Sequence, residues 1–288
     1  MEINGKTRLC GLIGNPVEHT VSPEIHNTLA DRMGINLAYL PFYVEKGKLS
    51  EAVKGAYALN ALGVNVTIPY KTEVIESLVW VDPMAKAMES VNTLVRTENG
   101  FKGYNTDLGG LYRAMTEDSV ALKGEEVIIL GAGGVGRTVA FLCAMKGAKK
   151  IYLLNRNAER AVQLAGEVAD KTGMDRICAM SLSDWKQIPE GRYLAIQCTS
   201  VGLHPKSEEA VIEDPAFYEM VHTGYDLIYR PAVTKFMKMV ENAGGRAYNG
   251  LKMLIYQGVE AFEKWNDVEV SGQLASEVYE LVKKKVEV

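Results

Sequence analysis

The segment VIILGAGGVGRTVAFL constrains this chain more than any other. It sets Gly131, Gly133 and Gly136 between an apolar run that reads as a strand and a second run that reads as a helix. In that setting the first glycine permits a tight turn and the second lets backbone N–H groups approach a pyrophosphate. The third lets helix and strand pack closely. The helix N-terminus then presents its positive dipole end to a bound phosphate. Glycines at this spacing also occur in ordinary βαβ connections. Here the strand before, the helix after and a further strand, KKIYLLNR, complete the context of a dinucleotide site. Gly131, Gly133, Gly134 and Gly136 are therefore candidate cofactor-binding residues.

The second strand indicates which dinucleotide. A site for NAD usually ends that strand in Asp or Glu, which accepts hydrogen bonds from the ribose 2′-hydroxyl, whereas a 2′-phosphate needs positive charge. This strand ends Asn155-Arg156-Asn157, and Arg160 follows one helical turn later. Two guanidinium groups can grip a phosphate dianion in bidentate fashion. NADP(H) is the expected cofactor.

At 288 residues the chain is long for one core and suits two domains. Its formal charge is −4, from 32 basic and 36 acidic side chains, and no basic run interleaves with aromatics. Nucleic-acid and membrane partners are not expected. No apolar stretch approaches the roughly 20 residues of a spanning helix, and MEINGKTRLC has no signal-peptide core. A cytoplasmic location is expected. Cys10, Cys143, Cys178 and Cys198 are far apart, and His19, His26, His204 and His222 lack ligand spacing. Free thiols and no metal are the expectation.

Along the first part, short apolar runs alternate with helical patterns: RLCGLIG, Ser22 to Met33, LAYLPFYV, Leu49 to Leu59, GVNVTI. This β-α-β-α-β order predicts a mostly parallel sheet. Ser22-Pro23 reads as a helix start with the Ser22 hydroxyl as cap. VNTLVRT and FKGYN read as two strands turning at Asn99-Gly100. A second set begins near Leu122: VIILGAG, its helix, KIYLLNR, a helix from Ala158 to Lys171, YLAIQCTS, GYDLIY, a helix from Val233 to Asn242, and a strand at Arg246 to Tyr248. The expected fold class is α/β, with two α/β domains and a cleft between them. A substrate and catalytic domain spans 1–118, completed by a C-terminal helix at about 268–288. A Rossmann-like NADP-binding domain spans 119–267.

The first domain carries polar residues where packing does not require them. Thr20 and Ser22 follow the first strand; Thr67 and Lys71 follow the third. Asn92 sits in SVNTLV, and Asn105, Thr106 and Asp107 sit in GYNTDLGG. Singly, each has an ordinary reading as cap, strand residue, turn former or solvated lysine. Jointly they fall at strand ends, where open parallel sheets place ligands. They supply hydroxyl, amide, ammonium and carboxylate groups but no nucleophile with an adjacent base. The set suits a small polyhydroxylated ligand.

GNPVEHTVSPEIHN, NVTIPYK, VNTL, GYNTDLGG, GAGGVGR, NRNAERA, DLIYRP and MLIYQG, in this order, resemble the motif set of the shikimate and quinate dehydrogenase family across nearly the whole chain. The resemblance implies NADPH-dependent, reversible reduction of 3-dehydroshikimate to shikimate in aromatic amino-acid and chorismate biosynthesis. It places Lys71 and Asp107 on the catalytic pair, and Thr20 and Ser22 on the hydroxyls that hold the substrate carboxylate. Thr67 falls on a further carboxylate-side contact, while Asn92, Asp107 and Gln257 fall on groups that read ring hydroxyls. Tyr229 matches a tyrosine at the junction of substrate and nicotinamide. Asn155, Arg156, Asn157 and Arg160 match the 2′-phosphate site, and Thr199 lies in a cofactor-side stretch.

Three departures stand out. Thr20 occupies a position that is commonly serine and adds a methyl; Gln197-Cys198-Thr199-Ser200 replaces the usual Asn-Ala-Thr-Ser; Tyr70 falls at a variable position. Two alternatives remain open: a quinate or mixed quinate/shikimate dehydrogenase, and a non-catalytic nucleotide and metabolite sensor. The expected assembly is a monomer or homodimer. The expected chemistry is hydride plus proton transfer, with Lys71 donating the proton and Asp107 holding it charged and oriented.

Overall fold

Each apolar run of the first third forms the element its pattern predicts. The structure is a computed structural model and describes residues 2–286. It divides into two compact units, 2–111 with 254–285, and 112–253 with Val286.

In the first unit, β1 (Arg8–Gly14), α1 (Ser22–Arg32), β2 (Leu37–Tyr43), α2 (Leu49–Ala58) and β3 (Gly63–Val66) follow in order. Then come β4 (Trp80–Val81), α3 (Pro83–Ala87), β5 (Thr93–Thr97), β6 (Gly100–Tyr104) and α4 (Thr106–Glu117). The strands form one sheet, ordered β2-β1-β3-β5-β6-β4. β1 runs parallel to β2 and β3, whereas β5 is antiparallel to both β3 and β6. That reversal carries the start of β5 to the edge where β1, β3 and β6 end. The turn joining β5 and β6 is Glu98-Asn99, one residue earlier than expected, because Thr97 pairs with Gly100.

Strand pleating sorts the faces. Val64 and Val66 point into a core with Val53, Tyr70, Leu94 and Phe101. Gly63 and Asn65 point to the other face, where the Trp265 indole leaves no room for a Cβ at Gly63. The Trp265 Nε1 donates to the Leu94 carbonyl at 2.8 Å. His26 is fully buried on this face, stacked 4.1 Å from the Tyr39 ring. Burial pushes its pKa down to about 3, so the imidazole is neutral.

The second unit contains β7 (Glu126–Leu130), α5 (Gly134–Met145), β8 (Lys150–Asn155), α6 (Ala158–Thr172), β9 (Ile177–Ser181) and β10 (Tyr193–Gln197). It continues with α7 (Pro215–Glu219), β11 (Val221–Asp226), α8 (Lys235–Asn242) and β12 (Arg246–Tyr248). All pairs are parallel, in the order β12-β11-β10-β7-β8-β9. This is a doubly wound sheet whose strand order reverses between β7 and β10, the position where such sheets bind ligands. β7, β8, β10 and β11 are largely buried, as strands covered on both faces require, whereas the edge strand β9 is partly exposed.

Two helices complete the chain: α9 (Leu251–Asn266) and α10 (Gly272–Val286). Sequence placed the return to the first domain at about 268; the structure places it at 254. The physical reason is α9 itself, whose Val259, Phe262 and Trp265 are buried, with Phe262 and Trp265 against the His26 ring. The outgoing boundary likewise falls at 111 rather than 118, inside α4. No helix among the described residues is long and apolar enough to cross a membrane.

Candidate active site

At the ligand edge of the first sheet, backbone bonds bring three separate loops together. Val91 N donates to the Lys71 carbonyl at 2.8 Å, Val66 N to the Asn92 carbonyl at 2.8 Å, and Asn92 N to the Tyr104 carbonyl at 3.0 Å. Asn105 caps α4, its Oδ1 accepting from Asp107 N at 3.0 Å and Leu108 N at 3.3 Å. The cap aims the Asp107 side chain back at the edge. Its carboxylate is then bracketed by two donors: Lys71 Nζ at 2.6 Å from Oδ2 and Asn92 Nδ2 at 2.9 Å from Oδ1. The Lys71 and Asp107 side chains retain 28% and 15% exposure, so the pair is shielded yet reachable.

Beneath this pair lies a buried polar chain. Asn92 Oδ1 accepts from Thr106 N at 2.8 Å and from Thr93 Oγ1 at 3.0 Å. Thr93 Oγ1 accepts from Asn65 Nδ2 at 3.1 Å, and Asn65 Oδ1 accepts from the Tyr39 hydroxyl at 2.8 Å. The Tyr39 phenol is raised well above its usual range by burial, partly offset by a hydrogen bond with Ser22. Thus Ser22, at one end of the edge, connects through buried groups to Asp107 at the other. Thr20 Oγ1 donates to Ser22 Oγ at 3.1 Å and accepts from Ser22 N at 3.2 Å. Ser22 is therefore not the helix cap expected of it; α1 begins at Ser22, and Val21 precedes it with no side-chain cap. Its hydroxyl is engaged by Thr20 instead.

Thr67 lies one residue beyond β3, its methyl lodged against Gly14 where any Cβ would collide. Gln257 sits on α9, whose backbone crosses α4 so closely that a Cβ on Gly110 would meet Gln257 N at 2.5 Å. The Gln257 amide nitrogen donates to the Leu254 carbonyl at 2.8 Å, leaving its oxygen for another donor.

In the second unit, Gly131 follows β7 at φ +111°, a conformation that favours glycine. A Cβ there would lie 2.8 Å from the Thr199 methyl, and one on Gly136 would lie 2.0 Å from the Gly131 carbonyl. These two glycines let the turn close on itself and on the loop after β10. Gly133 and Gly134, where α5 begins, face open space instead. An open surface at a helix N-terminus fits a pyrophosphate. Asn155 Oδ1 accepts from Ala132 N at 3.2 Å and its Nδ2 donates to the Asn157 carbonyl at 2.9 Å, tying turn to strand end. Asn157 Oδ1 caps α6 through Arg160 N at 3.1 Å. Arg156 and Arg160 are exposed, and no carboxylate among the described residues pairs with either guanidinium. The residues present fit a 2′-phosphorylated dinucleotide.

Three family models match the chain. They are described as Shikimate dehydrogenase substrate binding domain over residues 12–94, Shikimate / quinate 5-dehydrogenase over 114–204, and Shikimate 5'-dehydrogenase C-terminal domain over 250–271. A protein of Desulforamulus reducens named shikimate dehydrogenase (NADP(+)) is 40% identical over 272 residues, covering 91% of each chain. The chain belongs to the shikimate dehydrogenase family. Among solved structures, a shikimate dehydrogenase in complex with NADP+ is similar at TM-score 0.88 and 34% identity, over 99% of this chain and 98% of that one. A quinate dehydrogenase from Corynebacterium glutamicum in complex with NAD is similar at TM-score 0.87 and 26% identity, over 96% and 99%.

For this dehydrogenase fold, the sequence motifs converge in two groups. Lys71, Asp107 and Asn92 touch directly, as do Thr20 and Ser22. Gly131, Gly136 and Thr199 pack together in the second unit. Tyr229 follows β11 in that unit, half-buried, its phenol raised by burial. Sequence reading missed Asn65, Thr93 and Asp226. An asparagine inside an otherwise apolar central strand was the available signal for Asn65, since buried amides need partners. Asp226 ends β11 fully buried, accepting from Thr234 Oγ1 at 2.6 Å, Ile228 N at 3.0 Å and Gln197 Nε2 at 3.3 Å. Burial pushes its carboxyl up to about 6, against the pull of those donors. Gln197, the longer amide in place of asparagine, also donates to the Val201 carbonyl and accepts from Thr199 N. The longer arm thus shapes the Thr199 loop from within the core.

Proposed function

We infer that this chain reduces 3-dehydroshikimate to shikimate with NADPH, reversibly, with Lys71 as the proton donor and Asp107 as its partner. The carrying observation is the 2.6 Å Lys71–Asp107 contact, with Asn92 on the second carboxylate oxygen. As a carbonyl is reduced, negative charge grows on its oxygen, and a preorganised cation stabilises that charge more than it stabilises the ground state. Lys71 Nζ supplies both the cation and the proton. Asp107 keeps the ammonium in place and retains lone pairs for a ring hydroxyl.

Thr20 and Ser22 present paired hydroxyls that suit a carboxylate, and Thr67 adds a third at the same sheet edge. Asn92 and Gln257 are the amides available to ring hydroxyls, and Tyr229 is the phenol available beside the nicotinamide. NADPH, when bound, supplies the hydride. Gly131, Gly133, Gly134, Gly136 and Thr199 would hold its pyrophosphate side, and Asn155, Arg156, Asn157 and Arg160 its 2′-phosphate. By family, the reaction belongs to aromatic amino-acid biosynthesis.

A second reading, quinate or mixed activity, is favoured by the likeness to the quinate dehydrogenase. The arginines after β8 favour the first reading. Steady-state assays of shikimate and quinate, each with NADP+ and NAD+, separate them. The shikimate and NADP+ pair is expected to show the highest kcat/KM; a higher value for quinate with NAD+ would move the assignment to the second.

A further inference from the structure

An asparagine side chain can face a carboxylate with its nitrogen or its oxygen, and only the nitrogen is attractive. What sets the orientation of Asn92 is therefore a question about its neighbours. The buried chain below it has one consistent direction. The Tyr39 hydroxyl occupies Asn65 Oδ1, so Asn65 presents its Nδ2 to Thr93 Oγ1. The Thr93 hydroxyl accepts that bond and donates to Asn92 Oδ1 at 3.0 Å, the same oxygen that accepts from the Thr106 hydroxyl at 3.2 Å. Thr106 reinforces the same polarity, with its N–H on Asn92 Oδ1 at 2.8 Å and its hydroxyl 3.1 Å from Thr93 Oγ1. With its oxygen engaged on one side, Asn92 turns Nδ2 to Asp107.

We propose that Thr93 is a positioning residue for the Lys71–Asp107 pair, acting through the Asn92 amide. Thr93 is 0% exposed and cannot touch a substrate. Its hydroxyl faces only Asn65, Asn92 and Thr106 among the side chains bonded to it. The proposal rests on the reading of Lys71, Asp107 and Asn92 given above.

The test is a double-mutant cycle on the full chain, read as kcat/KM for shikimate with NADP+. Thr93→Val keeps the shape and removes the hydroxyl; one net hydrogen bond is worth about a three- to tenfold loss. Thr93→Ser restores the donor and is expected within about twofold of the parent, a margin smaller than one such bond. In an Asn92→Ala background, Thr93→Val is expected to cost nothing more, because residues acting through one partner are not additive. Additive losses, a Thr93→Ser chain as impaired as Thr93→Val, or an unimpaired Thr93→Val would overturn the proposal. Thr93→Ala, which also lacks the hydroxyl, carries the same reading if valine cannot pack. An Asn92→Ala chain that keeps parental activity would instead sink the site assignment, whatever Thr93 does.

Discussion

The two ligand-facing regions of this dehydrogenase are built on opposite plans. At the edge of the first sheet, side chains hold one another: Tyr39, Asn65, Thr93, Asn92, Asp107 and Lys71 are linked donor to acceptor. At the edge of the second, backbone shape does the work, through Gly131 and Gly136 closing a turn and Gly133 and Gly134 leaving space. The charges there, Arg156 and Arg160, stand exposed. The difference follows from the tasks. On the proposed function, a reacting group needs fixed geometry, since small misplacements are costly in rate, whereas a phosphate dianion brings its own acceptors to the exposed arginines.

That contrast can be broken most forcefully at Lys71. Lys71→Ala is expected to lower kcat by about 10²- to 10⁴-fold, the usual worth of a positioned acid–base group, with much less change in KM. A fall of tenfold or less in a folded variant would show that the interlocked cluster is not the reacting one.

Discrimination at the Thr20 end comes next. Quinate carries an extra hydroxyl on the carboxylate-bearing carbon, and a crowded pocket rejects such additions by about 10- to 200-fold in kcat/KM. Thr20→Ser is expected to narrow the gap between shikimate and quinate, because it keeps the hydroxyl and removes the methyl. Equal kcat/KM values for the two substrates in the parent protein would refute the steric account.

On the other plan, Arg156→Ala is expected to weaken NADP(H) binding by roughly 10- to 150-fold, the worth of a hydrogen bond to a charged group. NAD(H), which lacks the 2′-phosphate, is expected to respond little, as titration of both cofactors would reveal. Parallel losses would mean that Arg156 supports the local fold, and the two regions would then differ less than the structure indicates.

The last effect touches stability alone. Asp226 is buried with its carboxyl raised to about 6, so folding favours its protonated form. The folded state holds more protons than the unfolded state between the unfolded value, near 4, and the folded one, so stability falls as pH rises through that window. The contribution is no more than about 3 kcal/mol, from about two units at 1.36 kcal/mol each. Chemical unfolding at pH 4 and pH 7, compared with Asp226→Asn, isolates it. The parent is expected to lose stability relative to the variant on going from pH 4 to pH 7; a difference independent of pH would contradict the burial argument.

Much of this was legible in the chain. The glycine turn, the arginines after β8 and the order of strands and helices depend on local chemistry: backbone freedom at Gly131, charge at a strand end, and the period of apolar residues. Elements without such a signature were not legible. The short β4 and α3 have too few residues to show a period, and β9 is partly exposed throughout. α9 was not legible either, because its buried face, Val259, Phe262 and Trp265, is defined by partners such as His26 that lie far away in sequence.

The sequence by itself determined the two α/β units, the dinucleotide turn and the residue types available for chemistry, because each rests on interactions among near neighbours in the chain. Only the tertiary structure decided that Lys71, Asn92 and Asp107 meet. Their loops come from three places in the chain, and the antiparallel entry of β5 is what brings Asn92 to the edge where β3 and β6 end. The same holds for Ser22, which local rules assign to a helix cap and the fold assigns to Thr20 and Tyr39. A hydroxyl bonds whichever partner the packed sheet holds within reach, and that choice depends on residues distant in sequence.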